Sequence, residues 1–133
     1  MRAGVVQFRP EFGNIEGNLE TLLSMIESDE ADLFVLPELA LTGYIFESRE
    51  EALSLSQVPG GEEFEGVASL AGEKGATIVL GFAERAGERL YNSSIMICPF
   101  GSTSVYRKVQ LFCEEKNIFD PGDRSPAVVD VAG

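Results

Sequence analysis

Two stretches, Ile78-Val79-Leu80-Gly81-Phe82-Ala83 and Ile95-Met96-Ile97-Cys98, are apolar at consecutive rather than alternate positions. Side chains along a strand point alternately to opposite faces, so a strand-length run of this kind must be covered on both sides. A single layer of helices covers only one face. Such a chain is therefore predicted to be layered, with its sheet lying between two coverings. Both runs fall well short of the ~20 apolar residues that carry a helix across a bilayer.

The residues around these runs set the order of elements. Ala3 to Phe8 reads as a first, mostly buried strand. Ile15, Leu19, Leu22, Leu23 and Ile26 then recur at helical spacing, with Glu16 and Glu20 early in the helix, where its dipole favours acids. Leu33 to Leu36 reads as a second strand, ended by Pro37, which has no N–H for a ladder. After Pro59-Gly60-Gly61, a helix over 62–74 buries Phe64, Val67, Ala68 and Ala71. Strands follow over Thr77–Ala83, Ser93–Cys98 and Thr103–Arg107, with a charged link, Glu84 to Arg89, between the first two. A sixth strand is predicted over Ala127–Val131. Helical crossovers imply parallel neighbours and short links antiparallel ones, so the fold class is α/β with a mixed sheet and helices on one face. Residues 1–133 read as one unit without linker, internal repeat or low-complexity tract.

Composition narrows function by exclusion. Ten basic residues against 22 acidic give a formal charge of −12, which repels phosphate backbones and anionic lipid. Neither nucleic acid nor a membrane surface is an expected partner. There is no histidine, which removes Ser-His-Asp and Cys-His catalysis and the commonest transition-metal ligand. The two cysteines have no zinc spacing, so no metal is expected. Gln7 and Arg9 interrupt the opening apolar run and no cleavage site follows, so a cytoplasmic chain with free thiols is expected. In such a chain the sequon Asn92-Ser93-Ser94 is a chance match. Acid–base chemistry, if any, falls to carboxylates or lysines.

Glu38 is the first candidate. It stands just past the carboxyl end of a buried strand, in Leu36-Pro37-Glu38-Leu39-Ala40-Leu41-Thr42-Gly43-Tyr44, where open α/β sheets place their binding crevice. The Thr42-Gly43 turn can set the Tyr44 ring beside that carboxylate, making Tyr44 a candidate substrate-binding residue. Lys108 is the second, at the end of Val105-Tyr106-Arg107-Lys108-Val109-Gln110-Leu111-Phe112. Each alone would ordinarily be a solvated surface charge.

Together the two segments resemble the nitrilase-like carbon–nitrogen hydrolases, whose catalytic set is a Glu, a Lys and a Cys. The resemblance runs from Gly4-Val5-Val6-Gln7 through Leu90-Tyr91-Asn92-Ser93-Ser94 to Phe119-Asp120-Pro121-Gly122-Asp123. It implies that Glu38 is the general base, that Lys108 stabilises the oxyanion, and that Glu115, seven positions later, orients the set. Gln110 departs from the family, which most often has His there in a supporting role. The family fold is a four-layer α-β-β-α sandwich, of which this chain would supply one half, as the N-terminal part of a carbon–nitrogen hydrolase domain. No cofactor is implied.

The family's cysteine has no counterpart in these residues. Val129-Asp130-Val131-Ala132-Gly133 resembles the entry to the strand that leads to it, which would put the nucleophile roughly ten residues beyond Gly133. Cys98, in an apolar strand, reads as a small hydrophobe. Cys113 lies nearer the expected pocket, but Glu114 and Glu115 beside it would disfavour its thiolate. The implied reaction is hydrolysis of a small amide or nitrile, amide being the commoner substrate among such relatives. The chain alone is expected to be inactive and to associate with a missing half or a second copy. The competing reading is a non-catalytic truncated or split product that only binds or assembles.

Overall fold

Helix α1 (Ile15–Glu27) starts where the side chain of Asn14 accepts the N–H of Gly17, satisfying one of the donors a helix start leaves free. Its apolar stripe buries Leu22 and Ile26. Helix α3 (Glu62–Lys74) spans the residues predicted for it and closes on Gly75, whose φ of 62° suits the left-handed cap. These elements belong to a computed structural model that describes residues 1–131. The remaining elements are strands β1 (Ala3–Val5), β2 (Leu33–Val35), β3 (Thr77–Ala86), β4 (Arg89–Ile97) and β5 (Thr103–Arg107), with short helices α2 (Arg49–Ser54) and α4 (Glu115–Ile118).

The strands form one mixed sheet in the order β1-β2-β3-β4-β5. β1, β2 and β3 run parallel, joined by crossovers that carry the helices, and β3–β4–β5 is an antiparallel meander. This is the mixed α/β sheet the sequence predicts. Phe34, Ile78, Leu80, Phe82, Ile95 and Ile97 are buried with Leu22, Ile26, Phe64 and Val67 of the long helices in one core. Burying such a side chain is worth about 1.5–3 kcal/mol, so this face holds the layers together.

Among the described residues the opposite face is covered only at one end. There Ala83 and Leu90 pack with Leu39, Ala52 and Phe119, a second cluster contributed by α2 and the loops. At the other end the register aligns Val5, Val35, Val79 and Met96 side by side across four strands. Val5 is 79% exposed and Val35 38%. A contiguous apolar row on an open sheet face is the kind of surface that another layer ordinarily covers. Among the described residues no helix is long and apolar enough to cross a membrane.

Several sequence expectations need correction. β1 is shorter than Ala3–Phe8, and Ala3 and Val5 are exposed rather than buried. The expected link Glu84 to Arg89 is instead the extension of β3 and β4 into a long hairpin turning at Gly87-Glu88. Its charge is accommodated because Glu84, 2% exposed, accepts from Ser93 Oγ at 2.6 Å and from Arg107 Nε at 2.9 Å. Ala127–Val131 forms no strand: strand conformation is stabilised by a paired neighbour, and this segment has none among the described residues. Ala132 and Gly133, part of the segment read as a strand entry, lie outside the described residues.

Candidate active site

The loop after β2 lies flat on the open face of the sheet because β3 carries a glycine beneath it. A Cβ on Gly81 would sit 2.6 Å from Glu38 Cα and 2.7 Å from Pro37 O. Instead the two backbones bond directly, Gly81 N–H to Pro37 O (3.1 Å) and Ala40 N–H to Gly81 O (2.8 Å). Leu39 adopts a left-handed φ of 49°, a conformation costing a leucine about 1–2 kcal/mol. Its fully buried side chain and the Gly43 N–H bond to its carbonyl (2.9 Å) hold it there. Sheet contact and strained turn together aim Glu38 along the open face.

Lys108 follows β5, fixed by its N–H to Asn92 O (2.8 Å) and by its carbonyl accepting from Gly122 (2.9 Å). The Phe119–Gly122 turn can approach this closely because Gly122 lacks a Cβ, which would fall 2.3 Å from Arg107 O. Glu115 opens α4, and α4 is tied to α2 by Arg49, which donates to Ile118 O (2.6 Å) and to Asp120 Oδ2 (2.6 Å). Three separate segments thus converge. Lys108 Nζ donates to Glu38 Oε1 at 2.8 Å and to Glu115 Oε1 at 3.0 Å.

The two carboxylates differ in environment. Glu115 is 4% exposed; Oε1 accepts from Lys108 and Asn92, and Oε2, also 3.0 Å from Lys108 Nζ, accepts the Phe112 N–H at 2.7 Å. Burial pushes its pKa up, but these hydrogen bonds and the ammonium outweigh burial and leave it below the usual carboxylate range. Glu38 is 45% exposed, and its hydrogen bonds among the described residues all fall on Oε1. Lys108 shows the reverse balance: burial would lower its pKa, yet the bonds to Glu38 and Glu115 raise it, so it is a cation at neutral pH. The Tyr44 phenol is raised by partial burial, then by the charge of Glu115 and Glu38, against a lowering by Lys108.

The depressed Glu115 has a consequence for stability. A carboxyl whose folded pKa lies below its unfolded one stabilises the fold above the unfolded value and loses that contribution as pH falls through the folded one. Thermal melts should therefore show the wild type losing stability below about pH 4. Glu115→Gln should be less stable at pH 7 and converge on the wild type in acid. A constant gap between the two from pH 7 to pH 3 would contradict this assignment.

Hydrogen bonds bring Glu38, Lys108 and Glu115 together, while Tyr44 stands partly exposed on the loop that carries Glu38 and Gln110 is exposed. Cys98 is half-buried just past β4, and Cys113 is exposed with a φ of 44°. No hydrogen bond among the described residues joins the Cys113 thiol to Glu38 or Lys108. Two residues of this site escaped the sequence reading. Gly81 interrupts an otherwise bulky strand, a sign of close backbone approach, and Asn92 is an amide in a strand. The amide donates to Glu38 Oε1 (2.6 Å) and Glu115 Oε1 (2.8 Å).

Residues 2–133 match the family model described as carbon-nitrogen hydrolase. The chain belongs to that family. It is 38% identical to a nitrilase of Pyrococcus abyssi over 98% of its length and 52% of that protein's. It is 30% identical to an (R)-stereoselective amidase of Pseudomonas sp, over 97% of this chain and 47% of the amidase. Its fold superimposes on a CN-hydrolase superfamily protein of Xanthomonas campestris with a TM-score of 0.85 at 22% identity, over 97% of this chain and 49% of the other. The chain therefore spans about half the length of these relatives. Membership in the carbon–nitrogen hydrolases and the mixed α/β sheet stand as the sequence indicated.

Proposed function

We propose that this chain carries the acid–base and oxyanion half of an amidase-type carbon–nitrogen hydrolase site, completed by a cysteine nucleophile from sequence outside these 133 residues. The observation that carries the reading is Lys108 Nζ held between two carboxylates, 2.8 Å from Glu38 and 3.0 Å from Glu115. In a surface ion pair a lysine has no reason to be gripped by a second, nearly buried acid.

Each group has a distinct part. Glu115 has both oxygens engaged and a depressed pKa, so it holds Lys108 and stays ionised. Glu38 keeps Oε2 for the proton. The attacking thiol forms a C–S bond to the amide carbon while its proton passes to Glu38 Oε2. An ammonium has three N–H donors; two are committed to Glu38 and Glu115, and the third meets the oxygen on which negative charge develops. As the C–N bond breaks, Glu38 returns the proton to the departing amine. Water then loses a proton to Glu38, attacks the thioester, and releases the acid and the thiol. Tyr44, on the loop that carries Glu38, lines an apolar cleft with Phe12 and Ile45 and is assigned to the substrate. The substrate is a small amide, as the name of the Pseudomonas relative suggests; a nitrile, as that of the Pyrococcus relative suggests, would pass through the same set.

The uncovered row of Val5, Val35, Val79 and Met96 supports packing against a second layer: the remainder of a four-layer sandwich, or a second copy. Among the described residues β5 is also an edge strand with an open ladder. Alone at micromolar concentration, the chain should scatter light as an oligomer or aggregate and bind a hydrophobic dye. A dye-silent, cooperatively melting monomer would contradict the second layer. The catalytic part is tested by ammonia release from a panel of small amides and nitriles, with and without a cysteine-bearing complement.

A further inference from the structure

Two carboxylates that share one ammonium repel each other, and a single lysine of charge +1 does not neutralise both. Between them stands the side chain of Asn92, 3% exposed on the open face of β4. Its Nδ2 lies 2.6 Å from Glu38 Oε1 and 2.8 Å from Glu115 Oε1. Both neighbours are acceptors when ionised, so the amide must face them with its NH2, and each of its two protons has its own carboxylate. Its backbone carbonyl accepts the Lys108 N–H at 2.8 Å, so this one residue touches all three members of the set.

We infer that Asn92 is a positioning residue: its NH2 bridges Glu38 and Glu115 and fixes Glu38 with Oε1 against Lys108 and Oε2 turned outward to take the proton. Without the bridge Glu38, 45% exposed on a loop, is free to rotate about its terminal torsion and to offer either oxygen to the ammonium. A neutral two-proton donor suits this place because it holds two anions without adding charge. Serine has one proton for two acceptors, and a second lysine would compete for the oxyanion. The charged groups that face the bridge are Glu38 from the loop after β2, Lys108 from the end of β5 and Glu115 from α4.

The bridge itself is testable without turnover, because the chain has only four asparagines. In protein labelled with 15N at asparagine alone, the two side-chain protons of Asn92 should each be shifted by a hydrogen bond. Glu38→Gln should move one of them and Glu115→Gln the other. Protons that ignore both variants, or a single proton that answers to both, would overturn the bridge. The kinetic consequence rests on the hydrolase reading above. In a complemented enzyme Asn92→Leu should lower kcat about 100-fold, as a misplaced reacting group does, with KM within about twofold. Asn92→Asp keeps the shape and removes the donors. Its activity should recover as pH falls, when a proton shared among the three carboxyls restores one bond. A raised KM with kcat kept, or a pH profile of Asn92→Asp parallel to the wild type, would make Asn92 merely structural. An inactive wild-type complement would count against the hydrolase reading and leave the labelled spectrum to decide the bridge.

Discussion

In an enzyme completed by its cysteine-bearing segment, Glu38→Gln and Lys108→Met should each lower kcat by a factor on the order of 10⁴ while the fold is retained. Both substitutions keep length and remove one property: the proton-accepting oxygen in the first, the cation in the second. Loss of Lys108 also leaves Glu115, nearly buried, without its counter-ion, so some stability should go with it. The double variant should be about as slow as either single one. Residues that work through one shared proton and one shared ion pair fail together, so their effects do not add. Steady-state kinetics of the two singles and the double, with circular dichroism as the control for folding, measures this. A single variant with near-normal kcat would return that residue to the role of a solvated charge.

Gly81→Ala should also be damaging, without touching any reacting group. The added methyl would stand 2.6 Å from Glu38 Cα, 2.7 Å from Pro37 O and 2.8 Å from Leu39 N, all backbone atoms that cannot swing aside. Either the loop lifts from the sheet or β3 shifts, and both β3 neighbours are paired strands. Overpacking of this kind costs about 1–3 kcal/mol. A lift of even 1 Å carries Glu38 away from Lys108, for a further loss of about 100-fold in kcat. Chemical denaturation and kinetics on the same preparation separate the two effects. A stable Gly81→Ala with unchanged kcat would show that the loop does not depend on that contact.

How much of this was legible in the sequence depended on how far away the deciding partner lies. Helix α3 was readable to the residue because its signals are local: Gly60-Gly61 before it, an acidic first turn, an apolar stripe and Gly75 after it. Helix α2 carried a local signal too, Ser48 three residues before Glu51, and Ser48 Oγ indeed accepts the Glu51 N–H at 3.1 Å. At six residues it is too short for periodicity to reveal. The hairpin end of β3 and β4 was misread as a link because Glu84 looks solvated until Arg107, 23 positions away, is seen to pair with it. Arg107 in turn stacks over Tyr91, 4.1 Å from the ring centre, so one arginine ties β3, β4 and β5 together. Ala127–Val131, expected as a sixth strand, contains β-branched residues that suit one, but such a segment becomes a strand only when a neighbour supplies the ladder.

The site divides in the same way. Glu38 and Lys108 were found through flanking residues and family resemblance, 70 positions apart with nothing local to join them. Asn92 was visible as a stray sequon and as part of a stretch that carries the resemblance, but without a role, because its meaning lies in two carboxylates 54 positions before it and 23 after. Gly81 was read as one apolar position among six, since the loop that needs its missing side chain comes from another strand.

The most direct measurement is ammonia release from small amides and nitriles by the 133-residue chain alone and by the same chain joined by a cysteine-bearing complement. The chain alone should release none, because without the thiol there is no covalent route. The complemented form should turn over, with the acyl group trapped on a cysteine of the complement and with turnover lost in Glu38→Gln. Turnover by the chain alone that disappears in Cys113→Ala would contradict this division of labour and make Cys113 the nucleophile.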